Sequence, residues 1–311
     1  MSFLSLMIDV LGPVVAIVAV GALAGPRLKV DVQTLSRVAY WVLGPAFVFD
    51  LFLTNELSGG VALRLAAAAW AGMAAAVVIG LLAARPLGVR GRARSAVLMT
   101  GAYGNVGNAG LAVTAFALGD GALGAAVVLM LIINLTGVTL GVTLASNRPS
   151  SGAGAPRRSA VFVGAVGRAV LSPMPLAAVV AVAVNVIGVD VPLVIERSTG
   201  LLAGALIPTM LFTLGVQLAQ SGGVRLRRPV AMVAGLKLLV VPAVAWAAGV
   251  ALGLTGDNLA AVLIQSAMPP AVFCVLVGIE YDLEPKLVTD AVVATTVASL
   301  ATLPVVLALA T

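Results

Sequence analysis

Ten apolar runs, each near the length of a bilayer-spanning helix and bounded by charges, glycine or proline, dominate the chain. They cover 3–24, 33–54, 61–83, 95–117, 121–145, 173–189, 197–220, 229–252, 257–279 and 286–310. A helix crosses the hydrocarbon core with about 20 apolar residues, so nothing but short connections remains of the 311 residues. Charge is correspondingly scarce: 18 Lys and Arg with 12 Asp and Glu make 10% of the chain, against 61% hydrophobic residues and a mean hydropathy of +1.15. A soluble surface needs roughly a quarter of its residues charged. The expected class is an all-α polytopic membrane protein with ten transmembrane helices.

The same inventory removes whole chemistries. With no histidine and one cysteine, Cys274, the chain assembles neither a disulfide framework, nor a His or Cys metal site, nor a Ser-His-Asp triad. No metal, no cofactor and no enzymatic activity are expected. The net charge of +6 sits in short basic clusters between apolar runs, without interleaved aromatics, so no nucleic-acid partner is expected. The first run lacks a positive n-region and contains Asp9, which reads as span 1 and not as a cleaved signal peptide.

Basic residues fall on alternate connections. One side receives Arg27, Lys29, Arg37, Arg85, Arg90, Arg92, Arg94, Arg148, Arg157, Arg158, Arg168, Arg225, Arg227, Arg228 and Lys286, the other only Arg64 and Arg197. Cytoplasmic loops carry that excess. The expectation is a plasma (inner) membrane protein with both termini outside the cytoplasm. The polar stretch 146–156 (SNRPSSGAGAP) then forms a cytoplasmic linker between units 1–145 and 157–311, the second opening on a surface helix at about 157–171.

Each unit holds five spans, and short matches recur between them. Pro13 pairs with Pro175, PAFVFDL at Pro45 with PTMLFTL at Pro208, and Ala96-Val97-Leu98 with Ala261-Val262-Leu263, at offsets of 162 to 165. An odd number of spans per unit makes the repeat inverted, an architecture of secondary transporters. Spans 4 and 9 are interrupted at the same place. Span 4 carries GAYGNVGNAG from Gly101, and span 9 carries QSAMPPAVF from Gln265, setting Pro269 and Pro270 opposite Gly104 and Asn105. Glycine costs about 1 kcal/mol per helix-interior position and proline removes donors. Broken backbone at membrane depth survives where it lines a cavity or is buried in protein. If the two breaks cross, half-helix N-termini offer N–H groups to a carboxylate, and Tyr103, Gly104, Asn105, Gly107, Asn108, Gln265, Ser266, Pro269 and Pro270 become the candidate substrate-binding residues. Close helix packing explains the glycines equally well, but not Asn-Gly opposite Pro-Pro.

Polar groups inside spans are candidates for charge or ion coupling. Asp50 lies a turn from the outer end of span 2, and Gln217 and Thr213 lie in span 7. Lys237 is eight residues into span 8, about 12 Å at the helical rise, where it either snorkels to the surface or attracts an anion. Asp290 reads as a helix N-terminal charge, and Glu280, Asp282 and Glu284 as a solvated loop. The oxygens of Asn105, Gln265, Thr100 and nearby carbonyls are enough for a sodium site, while no carboxylate lies at the midplane to carry a proton.

GNVGNAG, PTMLFTLGVQL and the terminal block from MPPAVFCVLVGIEYDLEPK onward resemble the auxin efflux carrier family, of the bile acid/auxin/arsenite transporter superfamily, over nearly the whole chain. The resemblance implies a PIN-like fold with two inverted five-helix repeats and crossed, broken helices 4 and 9. It further implies a scaffold of helices 1, 2, 6 and 7, elevator-like movement of the rest, a homodimer through the scaffold, and a small organic anion as substrate. By motif position it assigns Asn105, Asn108 and Pro269 or Pro270 to the crossover. Two other functions suit the same fold: a sodium-coupled organic anion symporter of the bile acid type, and a non-transporting sensor or receptor.

Overall fold

The computed structural model describes residues 7–54, 58–146, 163–164, 166–167, 170–220, 223–271 and 273–311. The linker beyond Ser146 and most of the expected surface helix lie outside these residues. Among those described the chain is helical, with no strand and a single isolated bridge pair. The helices are α1 (Gly12–Arg27), α2 (Val32–Val38), α3 (Gly44–Thr54), α4 (Gly59–Ala84), α5 (Gly91–Ala102), α6 (Leu111–Leu118) and α7 (Leu123–Ser146). There follow α8 (Pro173–Ile187), α9 (Leu193–Gln220), α10 (Arg228–Gly235), α11 (Val241–Ala251), α12 (Gly256–Ala267), α13 (Phe273–Glu280) and α14 (Pro285–Ala310).

Local chemistry sets the ends. Asp31 caps α2 by accepting the Gln33 and Thr34 N–H groups, Ser58 caps α4, and proline occupies the first turn of α1, α8, α10, α11 and α14. Single π-turns join α2 to α3 at Ala39–Leu43 and α10 to α11 at Leu236–Val240, so those pairs run on as continuous helices. Among the described residues, seven helices are long and apolar enough to cross a membrane: Ile8–Arg27, Val32–Leu53, Gly59–Ala84, Asp120–Gly141, Leu193–Gln220, Arg228–Ala251 and Pro285–Ala310. Their outer faces suit lipid: Leu201 is 80% exposed, Leu82 71% and Leu309 70%. Each such side chain in water forgoes roughly 1.5–3 kcal/mol of burial.

Packing sorts the helices into two groups. In the first, α1 lies against α9, and α3 against both α8 and α9. Gly21 and Gly215 let α1 and α9 touch backbone to backbone: a Cβ on Gly21 would lie 2.1 Å from the Phe212 carbonyl oxygen, and one on Gly215 2.0 Å from that of Val18. That is the small-residue packing that replaces the hydrophobic effect between helices in lipid. In the second, α4 packs on α5, α7 and α11, while α12 packs on α7, α11 and α14. The groups meet chiefly where α9 passes the turn before α6, where α6 meets the turn before α1, and where α3 meets α7.

Candidate functional site

Both short helix pairs of the second group are interrupted, and the interruptions pair with each other. After α5 the chain extends at Tyr103 (φ −97°, ψ 111°), passes Gly104 and Asn105, and restarts as the π-turn Val106–Gly110 that leads into α6. After α12 it extends at Met268 (φ −61°, ψ 140°) and runs through Pro269 and Pro270 to α13. Gly104 and Pro270 form an antiparallel bridge. The Asn105 N–H donates to the Pro269 carbonyl at 2.7 Å and the Ala271 N–H to the Tyr103 carbonyl at 3.1 Å. A buried peptide group without a partner is costly. Each break therefore answers the other's orphaned groups, and the prolines suit it because they bring no N–H that would need an acceptor.

The side chains around this crossing are almost wholly buried. Tyr103 and Asn105 are 5% exposed, Ser266 2% and Gln265 0%. The Tyr103 hydroxyl donates to Asn134 Oδ1 of α7 at 2.9 Å, and its ring fills a space that Gly137 leaves, since a Cβ there would lie 2.4 Å from Tyr103 Cδ2. Gln265 Nε2 donates to Thr114 Oγ1 at 3.2 Å, and its Oε1, packed over Gly110, has no hydrogen-bond partner among the described residues. Gly107 and Asn108 are half-buried in the turn that packs on α9, hence at the seam between the groups. The N–H groups of that first turn are the ones a helix start leaves without intrahelical acceptors.

Of the residues considered for charge or ion coupling, Lys237 reaches the crossing. It is 1% exposed and does not snorkel: Nζ donates to the Ser266 carbonyl at 2.6 Å, in the last turn of α12. A Cβ on Gly104 would come within 3.0 Å of that Nζ, so only glycine leaves the ammonium its place. Thr100 lies one turn away, with its hydroxyl donated back to the Ala96 carbonyl. Asp50 is elsewhere. It lines a cavity of about 380 Å³ with Phe47, Ala115, Asp120, Ala203 and Gly204, between the two groups at the far end of α6 from Asn105. Gln217 has a buried Oε1 without a partner among the described residues, and Thr213 donates to the Thr209 carbonyl.

One expectation about the loop side changes. Asp290 is buried at 1%, paired with Lys286 at 2.9 Å and Arg227 at 3.7 Å, and so acts as an ion-pair hub rather than as a free terminal charge. Asp282, though ion-paired with Arg92, stays exposed with Glu280 and Glu284, as expected of a solvated loop. Sequence reasoning missed Asn134 and Thr114, both of which support the crossing. Each is a polar residue within an apolar run, the signal by which Lys237 was found.

Comparison with known proteins agrees with this architecture. A family model described as membrane transport protein matches residues 6–307. An uncharacterized transporter of Methanothermobacter thermautotrophicus is 29% identical over 280 residues, covering 88% of this chain and 87% of that protein. Two proteins of Oryza sativa subsp. japonica, auxin efflux carrier component 3a and probable auxin efflux carrier component 1b, are 30% and 32% identical over 107 and 108 residues. Those matches take in 34% of this chain and only 17% and 20% of the rice proteins. A match from one end to the other, on helices built to face lipid, means that the chain belongs to the auxin efflux carrier family of membrane transport proteins.

Proposed function

We propose that this integral membrane transporter is a secondary carrier that moves a small organic anion by alternating access and holds its carboxylate where the two interrupted helices cross. The observation that carries the reading is the mutual pairing of the breaks at Gly104 and Pro270 with the Lys237 ammonium buried beside them. Helix-start N–H groups and one cation attract an anion. Asn105 and Asn108 supply amide donors, Gly104 and Gly107 allow close approach, and Tyr103, Gln265 and Ser266 form the walls, with Pro269 and Pro270 holding the second break open. No coupling ion is part of the proposal; Lys237 takes up the Ser266 carbonyl, one of the oxygens at the crossing.

Ten spans follow from adding to the seven long helices the shorter Pro173–Ile187 and the two interrupted pairs, α5 with α6 and α12 with α13. Their order places one break in each half at its fourth span, as an inverted five-span repeat requires, with 146–156 as the cytoplasmic linker. The basic ends near Arg27, Arg85, Arg92, Arg228 and Lys286 then face the cytoplasm of the inner membrane, and both termini lie outside. The first packing group is the scaffold, and the surface through which a homodimer would form; the second moves with the site. The cavity beside Asp50 and Gly204 is an opening between them.

The test is uptake of labelled mono- and dicarboxylic acids into proteoliposomes holding the purified chain. Saturable flux is expected, and Asn108→Ala should lower it at least tenfold. No flux with any acid, or an unaffected Asn108→Ala, overturns the reading.

A further inference from the structure

Lys237 is a charge without a counter-charge. Among the described residues two charged side chains are fully buried, Lys237 and Asp290. Asp290 has Lys286 and Arg227 as partners, whereas no ion pair among the described residues includes Lys237. The surroundings of Lys237 are the Ser266 carbonyl, the Gly104 backbone and the Cys274 thiol. The carbonyl lies at the C-terminal end of α12, whose partial negative charge eases the burial of the ammonium without neutralising it. The turn that carries Lys237 packs on α4, α5, α12 and α14, all in the same group as the crossing itself.

From this we infer that the protein is an anion exchanger: its mobile group changes sides readily with an anion bound and slowly when empty. The inference rests on the carrier reading above. Changing sides by alternating access takes the site through a closed state from which water is expelled. A buried ion in such a state carries a large desolvation penalty, and a partner of opposite sign offsets it. Loaded with a monocarboxylate, the site is neutral and the barrier is low. Empty, it carries the whole charge of Lys237 through the closed state. The return step therefore waits for an anion from the other side, so a net flow of substrate becomes a swap of one anion for another.

The experiment uses proteoliposomes of the full chain loaded in separate batches with labelled benzoate, malonate, malate or indole-3-acetate. Efflux is measured at saturating internal acid into a medium with or without the same unlabelled acid. For any monocarboxylate that is carried, the external acid is expected to accelerate efflux tenfold or more. Lys237→Gln keeps a donor for the Ser266 carbonyl but removes the charge, and should bring the ratio below about two. Lys237→Arg, which keeps the charge, should retain the acceleration. Equal rates with and without external acid in the wild type overturn the exchange inference and leave the carrier reading standing. So does a Lys237→Gln variant that keeps the tenfold ratio. Flux of a dicarboxylate without flux of any monocarboxylate overturns the exchange inference, and absence of flux for every acid overturns the carrier reading with it. The wild-type ratio needs no variant, so a substitution that fails to fold leaves the inference open to refutation.

Discussion

At the scale of single residues, the glycines around the crossing differ by what stands over them. A methyl group on Gly110 would meet Gln265 Oε1 at 2.2 Å, in a site with no room to retreat, whereas one on Gly107 would meet only Met130 Sδ at 3.7 Å. Gly110→Ala is therefore expected to cost about 1–3 kcal/mol through overpacking and to displace Gln265. Gly107→Ala should leave stability within about 0.5 kcal/mol. Thermal unfolding in detergent separates the two, and equal melting temperatures would contradict the packing described. Outside the membrane, Asp31 shows a pH effect. The Thr34 hydroxyl, then the Gln33 N–H, hold its carboxyl below the ordinary 3.8. A lowered folded value means that the ionised cap stabilises the start of α2 above pH 3.8, and that this gain is lost as pH falls through the lowered value. Wild type should melt above Asp31→Asn near neutral pH and converge with it below pH 3.8, as paired unfolding curves would reveal.

At the scale of elements, the crossing shows how two poor helices make one good structure. Neither GAYGNVGNAG nor QSAMPPAVF satisfies its own backbone, and each supplies what the other lacks. Replacing both Pro269 and Pro270 by alanine restores helix propensity by about 3 kcal/mol per position, and should let α12 continue past Ala267. The Asn105 N–H would then lose the Pro269 carbonyl. The double variant is expected to insert normally and to lose at least tenfold in anion flux, read in the same vesicle assay. Unchanged flux would mean that the interruption is incidental to transport. The break positions were legible because glycine, asparagine and proline act locally. Their hydrogen bonds were not, because the partners lie about 165 residues apart, across the repeat offset.

At the scale of the whole molecule, the proposed carrier mechanism rests on the division into two groups, and it can be tested at the seam. Gly204 lines the cavity of about 380 Å³ between the groups, and a Cβ there meets nothing within 4 Å. Gly204→Trp fills that space from α9 and should lower flux severalfold with the melting temperature unchanged. A fall in both would point to damaged packing instead of obstructed movement. Sequence alone determined the solvent, the helical class, the places where helices stop, and the family. These follow from hydrophobicity, run length and backbone chemistry, which are properties of neighbouring residues. Tertiary structure decided which polar groups share a site. Lys237, Asp50, Thr100 and Gln217 were alike on the page as polar residues within apolar runs. Only folding carried Lys237 to the Ser266 carbonyl and left Asp50 at the seam, because a helix sets where its residues lie along the membrane while packing sets which neighbour each one meets.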